Sequence, residues 1–182
     1  MCKEQYIYIE TDSTDAAFNF AVEYYLATEK PFPEKTVVLI WRTAPTVMVG
    51  RFQNTFAEIN RAYVEKKQIA VARRMSGGGT IYTDFGAWQY SFITFAKGKA
   101  SGMRELAAPV VDILRKLGAP AEFSGRNDIL IEGRKVSGTA QYRKNGCVVH
   151  HGSLLYAADL DEIVRSTNVS CEKLQAKGIQ SV

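Results

Sequence analysis

Short runs rich in β-branched and aromatic residues dominate this chain, and runs with apolar residues every three or four positions are fewer. QYIYIET (5–11) reads as a strand. STDAAFNFAVEYYLAT (13–28) predicts a helix with Asp12 or Ser13 as N-cap. Its apolar residues fall on more than one face, so deep burial is expected. TVVLIWR (36–42) and TVMVG (46–50) are two β-rich runs around a Thr-Ala-Pro turn signal. TFAEINRAYVEKKQ (55–68) reads as one helix, with Thr55 and Glu58 at capping-box spacing and Ile59 one turn before Tyr63. IAVARR (69–74) and TIYTD (80–84) are strand-like runs on either side of three glycines, and WQYSFITF (88–95) is a further strand. ELAAPVVDILRKLG (105–118) predicts a helix with Leu106, Val110, Ile113 and Leu117 on one stripe. Pro109 begins its regular part or kinks it, and Gly118 stops it. DILIEGRKVSG (128–138) reads as two hairpin-like strands, CVVHHGSLLYAA (147–158) as a strand and LDEIVRST (160–167) as a short helix. Strands outnumber helices and many are hairpin-connected. The expected fold is therefore α+β, a mostly antiparallel sheet flanked by helices, over residues 1–182 as a single domain.

Composition narrows the function classes. The chain has 182 residues, 46% of them hydrophobic, and a formal charge of +4 from 23 basic and 19 acidic residues. That charge is too small and too scattered to point to nucleic acid, and it suits an anionic ligand or an acidic partner. Cys2, Cys147 and Cys171 are odd in number and lack metal-site spacing, which favours a reducing cytoplasm. No run is long enough to span a membrane, so no membrane role is expected. His150 and His151 are adjacent, and neighbouring strand positions face opposite ways, so they cannot readily share a metal.

Two stretches carry candidate chemistry. In ARRMSGGGTIYTDFG (72–86), Gly77, Gly78 and Gly79 can take backbone angles closed to other residues. Their N–H groups can converge on an anion, with Ser76 adding a hydroxyl and Arg73 or Arg74 a guanidinium. A tight turn between strands is the plain alternative. It is neither a P-loop nor a GxGxxG fingerprint, because no Gly-Lys-Ser/Thr follows and the glycine spacing differs. In SGRNDILIEGRKVSG (124–138), Asn127 and Asp128 open a strand and Lys135 follows the turn. Alternation through Thr139 puts Lys135, Ser137 and Thr139 on one face and Val136 and Ala140 on the other. Asp128 is a hairpin-capping residue or a magnesium ligand, since magnesium often takes only one or two protein carboxylates. Together these groups suit an acid plus a nucleotide. A carboxylate and a triphosphate repel each other, so joining them needs fixed positive charge.

RRMSGGGTIYTD, GRNDILIEGRKVSGTAQ and HHGSLLYAADL, in this order, resemble the lipoate–protein ligase A family, as do WRTAPTVMVGRFQN and KLQAKGIQSV. The likeness runs from about Trp41 to the last residue. It implies the fold shared by biotin and lipoate ligases and class II synthetases. The implied reaction joins lipoate to MgATP as lipoyl-AMP. The lipoyl group then passes to a lysine of a lipoyl domain, either on a 2-oxoacid dehydrogenase E2 subunit or on the glycine-cleavage H protein. It also implies roles by position. Arg74 would contact the nucleotide phosphate, and Gly79, Thr80, Ile81 and Tyr82 would line the adenylate side. Ser76, Gly77 and Gly78 would lie near the lipoyl chain. Lys135 would be the key catalytic lysine, Asp128 with Asn127 a metal or adenylate contact, and His151 a pocket wall. Thr83 and Ala87 depart from the family's usual histidine and asparagine. The family's catalytic domain usually continues past Val182 with an accessory domain, so this chain is expected to be truncated or to have a partner chain. Two rival readings remain: a cysteine acyltransferase using Cys171, and a lipoate- or nucleotide-binding module without catalysis.

Overall fold

The computed structural model describes residues 5–95 and 102–168. A seven-stranded sheet is built from β1 (Gln5–Glu10), β2 (Lys35–Trp41), β6 (Ala87–Phe95), β10 (Cys147–Leu155), β9 (Arg134–Lys144), β8 (Asp128–Ile131) and β7 (Ala121–Ser124), in that spatial order. Only the β1–β2 pair is parallel, and the other five pairs are antiparallel. A three-stranded sheet of β4 (Ala70–Arg73), β3 (Thr46–Val49) and β5 (Ile81–Thr83) stands beside it, with β3 in the middle. The two strands that bracket the glycines are therefore not a hairpin. They flank β3, β4 running parallel to it and β5 antiparallel. The α+β expectation holds, with a mixed but mostly antiparallel sheet.

Tight turns set the right-hand half of the large sheet. Asn145 and Gly146, at φ 49° and 77°, join β9 to β10, and Glu132 and Gly133, at φ 50° and 75°, join β8 to β9. Two successive positive φ angles match the twist of antiparallel strands, and Asn-Gly adopts them at little cost. β10 then pairs along its whole length with β6 on one side and β9 on the other.

Helix α1 (Ala16–Thr28) packs over one face of the large sheet, and Leu39, Trp41, Met48 and Ala72 join its Ala16 and Phe20 in a buried cluster. That cluster draws from both sheets and fastens them to the helix. On its other side the small sheet buries Val47, Val49 and Tyr82 against α2 (Thr55–Glu58) and α3 (Arg61–Lys67) through Ile59 and Val64. α4 (Met103–Lys116) covers the far half of the large sheet, where Val111 meets Ala121 and Ile129. α5 (Leu160–Ser166) lies against α3, tied by the Tyr63 hydroxyl, which donates to Glu162 at 2.7 Å.

Several local expectations change. The N-cap of α1 is Asp15, whose carboxylate accepts from the N–H of Ala17 at 2.7 Å, and not Asp12 or Ser13. α1 is not deeply buried. Phe18 and Tyr25 are both 52% exposed, while the polar Asn19 and Glu23 face inward. Residues 55–68 form two helices, not one, each started by an asparagine cap, Asn54 and Asn60. In α4 the buried line is Ala107 and Val111, and Ile113 and Leu117 are exposed. Pro109 sits inside that helix without ending it.

Candidate functional site

The glycine segment follows β4 as a loop held by both preceding arginines. Arg73 donates to the carbonyls of Gly50 at 2.9 Å and Gln53 at 2.8 Å, pinning the neighbouring 50–55 turn. Arg74 is buried and clasps the loop itself. Its guanidinium donates to the carbonyls of Met48 at 3.1 Å, Gly77 at 3.0 Å and Gly79 at 2.6 Å. Burial pushes its pKa down to about 10, which leaves it charged at neutral pH. Gly50 permits the close approach of the two segments, since a Cβ there would stand 2.2 Å from the Gly78 carbonyl oxygen. Gln53 closes the bracket: its side-chain oxygen accepts from the Gly50 N–H at 2.8 Å and the Thr80 hydroxyl at 2.9 Å.

This clasp turns the carbonyls of Gly77 and Gly79 inward to Arg74. Among the described residues the N–H groups of Gly77, Gly78 and Gly79 have no protein acceptor. A Cβ on Gly79 would meet nothing within 4 Å. Free N–H groups beside open space leave the loop able to accept an anion, which a fully hydrogen-bonded buried turn is not.

Below the loop lies a buried polar chain. The Ser76 hydroxyl is 2.7 Å from His151 Nε2, and His151 Nδ1 is 3.1 Å from Glu23 Oε2. The Ser91 hydroxyl donates to the other Glu23 oxygen in a short hydrogen bond. All four side chains are buried. Glu23 and Ser91 were not singled out from sequence. A carboxylate inside an otherwise apolar helix pattern was the available signal, since buried charge persists only where it is paired.

The β8–β9 pair brings the second stretch to the same face. Cross-strand partners share a face, and residues two apart on a strand do too. His151 pairs with Ala140, so Ala140 and Gly138 lie on the His151 face, and Asp128, paired with Gly138, joins them. The register slips between Ile129, which pairs with Ser137, and Leu130, which pairs with Lys135. Val136 is the extra residue of this bulge. It turns Lys135 to the face opposite Ser137, correcting the alternation that put Lys135 with Ser137 and Thr139. The Lys135 ammonium sits 2.8 Å from Asp128 Oδ1 and extends over Gly138, where a Cβ would come within 3.2 Å of it.

Other residues stand apart from this face. Tyr82 points into the α3 cluster, and burial with nearby Asp84, Glu162 and Asp159 holds its phenol well above the usual range. Ile81, its neighbour, packs towards α1 instead. The Asn127 amide stitches β8 to β9 by donating to the Thr139 carbonyl at 2.9 Å. Thr83 and Ala87 are fully buried, and the Thr83 hydroxyl oxygen accepts from Gln89 Nε2 at 2.8 Å. Cys147 is buried and its thiol is pushed up to about 11, mainly by burial, so it is no nucleophile at neutral pH. Cys171 and Cys2 lie outside the described residues. Among the described residues no group of three or more His, Cys, Asp or Glu side chains could hold a metal, and no helix is long and apolar enough to cross a membrane.

Comparison with known proteins fits this geometry. The family model described as the lipoyl protein ligase A/B catalytic domain matches residues 15–182. The lipoate-protein ligase LplJ of Bacillus subtilis is 40% identical over 92% of this chain and 51% of its own length. The chain spans about half the length of the curated relatives it matches. Among solved structures, a bipartite lipoate protein ligase of Thermoplasma acidophilum, reported with its E2 lipoyl domain, superposes with a TM-score of 0.82. It is 26% identical over 96% of this chain and 69% of that one. A lipoate-protein ligase A bound with ATP also superposes at 0.82, with 25% identity over 93% of this chain and 73% of that one.

Proposed function

From the premise that this chain belongs to the lipoyl protein ligase A/B catalytic-domain family, we propose that it adenylates lipoate with ATP and transfers the lipoyl group to a protein lysine. One observation carries the reading: Lys135 lies on the same face of the large sheet as His151, which the glycine-loop Ser76 contacts, although the two stretches are remote in sequence. In the first step a carboxylate oxygen attacks the α-phosphorus and pyrophosphate leaves. The free N–H groups of Gly77–Gly79 and the Lys135 ammonium supply positive charge where two anions must meet. In the second step the acceptor lysine attacks the acyl carbonyl and AMP leaves. Arg74 contributes by shaping the loop, because three of its five N–H donors are engaged by carbonyls.

Asp128 is the side chain that would hold magnesium. A single carboxylate fits, because magnesium at nucleotide sites is held largely by phosphates and water. When bound, the ion would shield the triphosphate. The acceptor we propose is a lipoyl domain of an E2 subunit or an H protein, in the cytoplasm, with a C-terminal accessory domain or chain as a further partner.

Lipoate-dependent exchange of labelled pyrophosphate into ATP tests this directly. Wild-type protein is expected to exchange, and Lys135→Ala to fall by ~100- to 1000-fold. Equal exchange in both proteins would remove Lys135 from the reaction. Its absence in a folded full-length wild-type protein would remove adenylation altogether.

A further inference from the structure

We propose that Ser76, His151 and Glu23 form a nucleophile–base–orienter relay with slow, ATP-independent esterase activity towards activated medium-chain acyl groups. The choice of acyl chain rests on the ligation reading above; the relay itself does not.

The contacts match the roles the relay requires. His151 Nδ1 lies 3.1 Å from Glu23 Oε2, and in the relay its N–H donates to that carboxylate. His151 Nε2 lies 2.7 Å from Ser76 Oγ, and in the relay it accepts from that hydroxyl. The nucleophile–base bond and the base–orienter bond required of an activated serine are thus both present. The Ser91 hydroxyl holds the second Glu23 oxygen and prevents the carboxylate from turning away. The Phe20 and Tyr142 rings, each with its centroid 6.1 Å from that of the imidazole, enclose His151. The N–H groups of Gly77 and Gly78, unpartnered among the described residues, directly follow the serine in the chain and are the donors the relay would offer an oxyanion. Stability does not explain the arrangement. A buried ionic network is commonly no better for folding than apolar side chains of the same size, and Leu39, Phe20 and Trp41 occupy the same layer.

The proposed reaction balances. Ser76 Oγ attacks the acyl carbonyl carbon while His151 Nε2 takes the hydroxyl proton. The bond from the carbonyl to its leaving group breaks, and His151 returns the proton to that group. A water molecule, deprotonated by His151, then attacks the acyl-serine, and the free acid leaves as the serine is restored. Ser76 is only 1% exposed. The acyl carbonyl must enter over the open side of Gly79 and displace the loop's cover, which makes turnover slow.

The test uses the full chain without ATP. Wild-type protein treated with a fluorophosphonate should gain one phosphonyl group, located on Ser76 by peptide mass spectrometry, a result that needs no variant. It should also release p-nitrophenolate from p-nitrophenyl octanoate. Ser76→Ala and Glu23→Gln, shown to melt cooperatively, should lower that release by ~100-fold or more. No label on Ser76 in the wild type, or wild-type turnover in folded Ser76→Ala, overturns the relay. Pyrophosphate exchange is run on the same sample. Exchange without labelling sinks the relay and leaves ligation standing. Labelling and hydrolysis without exchange uphold the relay and sink ligation.

Discussion

His150 and His151 are neighbours in sequence and opposites in chemistry, because β10 sends them to different faces of the sheet. His151 finds Glu23 and Ser76, whereas both ring nitrogens of fully buried His150 lack a hydrogen-bond partner among the described residues. Burial first, and the proximity of His151 second, push the pKa of His150 down to about 4 from an ordinary 6.5. The sign follows from proton binding. Between those two values the unfolded chain takes up a proton at this position that the folded chain does not. Stability from this source is complete above pH 6.5 and is lost as the pH falls towards 4. Urea unfolding midpoints of wild type should therefore drop more steeply from pH 7 to pH 5 than those of His150→Leu. Parallel pH dependence in the two proteins would show that His150 does not carry the acid sensitivity. Two adjacent histidines were legible as unable to share a metal; which one would be paired was not, because the partners of His151 come from α1 and a distant loop.

At the scale of elements, the expectations that fail do so where backbone from elsewhere intervenes. Residues 55–68 carry a helical pattern, yet Ile59 is extended because it bridges to Thr167. The Asn60 N–H donates to the Ser166 carbonyl at 3.0 Å, and the Asn168 side-chain amide donates to the Ile59 carbonyl at 2.8 Å. Asn60 then restarts the helix by accepting from the Tyr63 N–H at 3.2 Å. Asn60→Ala should cost ~1 kcal/mol of stability, read from chemical denaturation, and no measurable cost would argue against the cap. The β8–β9 bulge is the same kind of event. Val136 leaves the ladder and packs beside Val111 and Ile129 of the α4 cluster. Lys135 is thereby turned towards Asp128. Counting alternate residues cannot detect a bulge, because the extra residue has an ordinary composition and only its partner strand defines it.

For the whole molecule, the joint between the two sheets and α1 matters most. Leu39 is fully buried in the cluster where β2, β3, β4 and α1 converge, directly across from Ser91, its partner on β6. Leu39→Ala should lower stability by ~2–5 kcal/mol through lost burial and a residual cavity. The transition should stay single, because the same cluster fastens both sheets; two separated transitions would show that the sheets fold independently. Residue types and local spacing by themselves determined much of this protein. Runs rich in β-branched and aromatic residues marked most of the strands, and the runs around the glycines and around Lys135 marked the candidate chemistry and the family resemblance. These are short-range properties, written in consecutive residues. Tertiary structure alone decided that β4 and β5 flank β3, that Arg74 turns inward to clasp its own loop, that Lys135 faces Asp128, and that Glu23 meets His151 and Ser76. Each depends on which strands and helices pair, and burial of the whole core sets that pairing rather than any local run of residues.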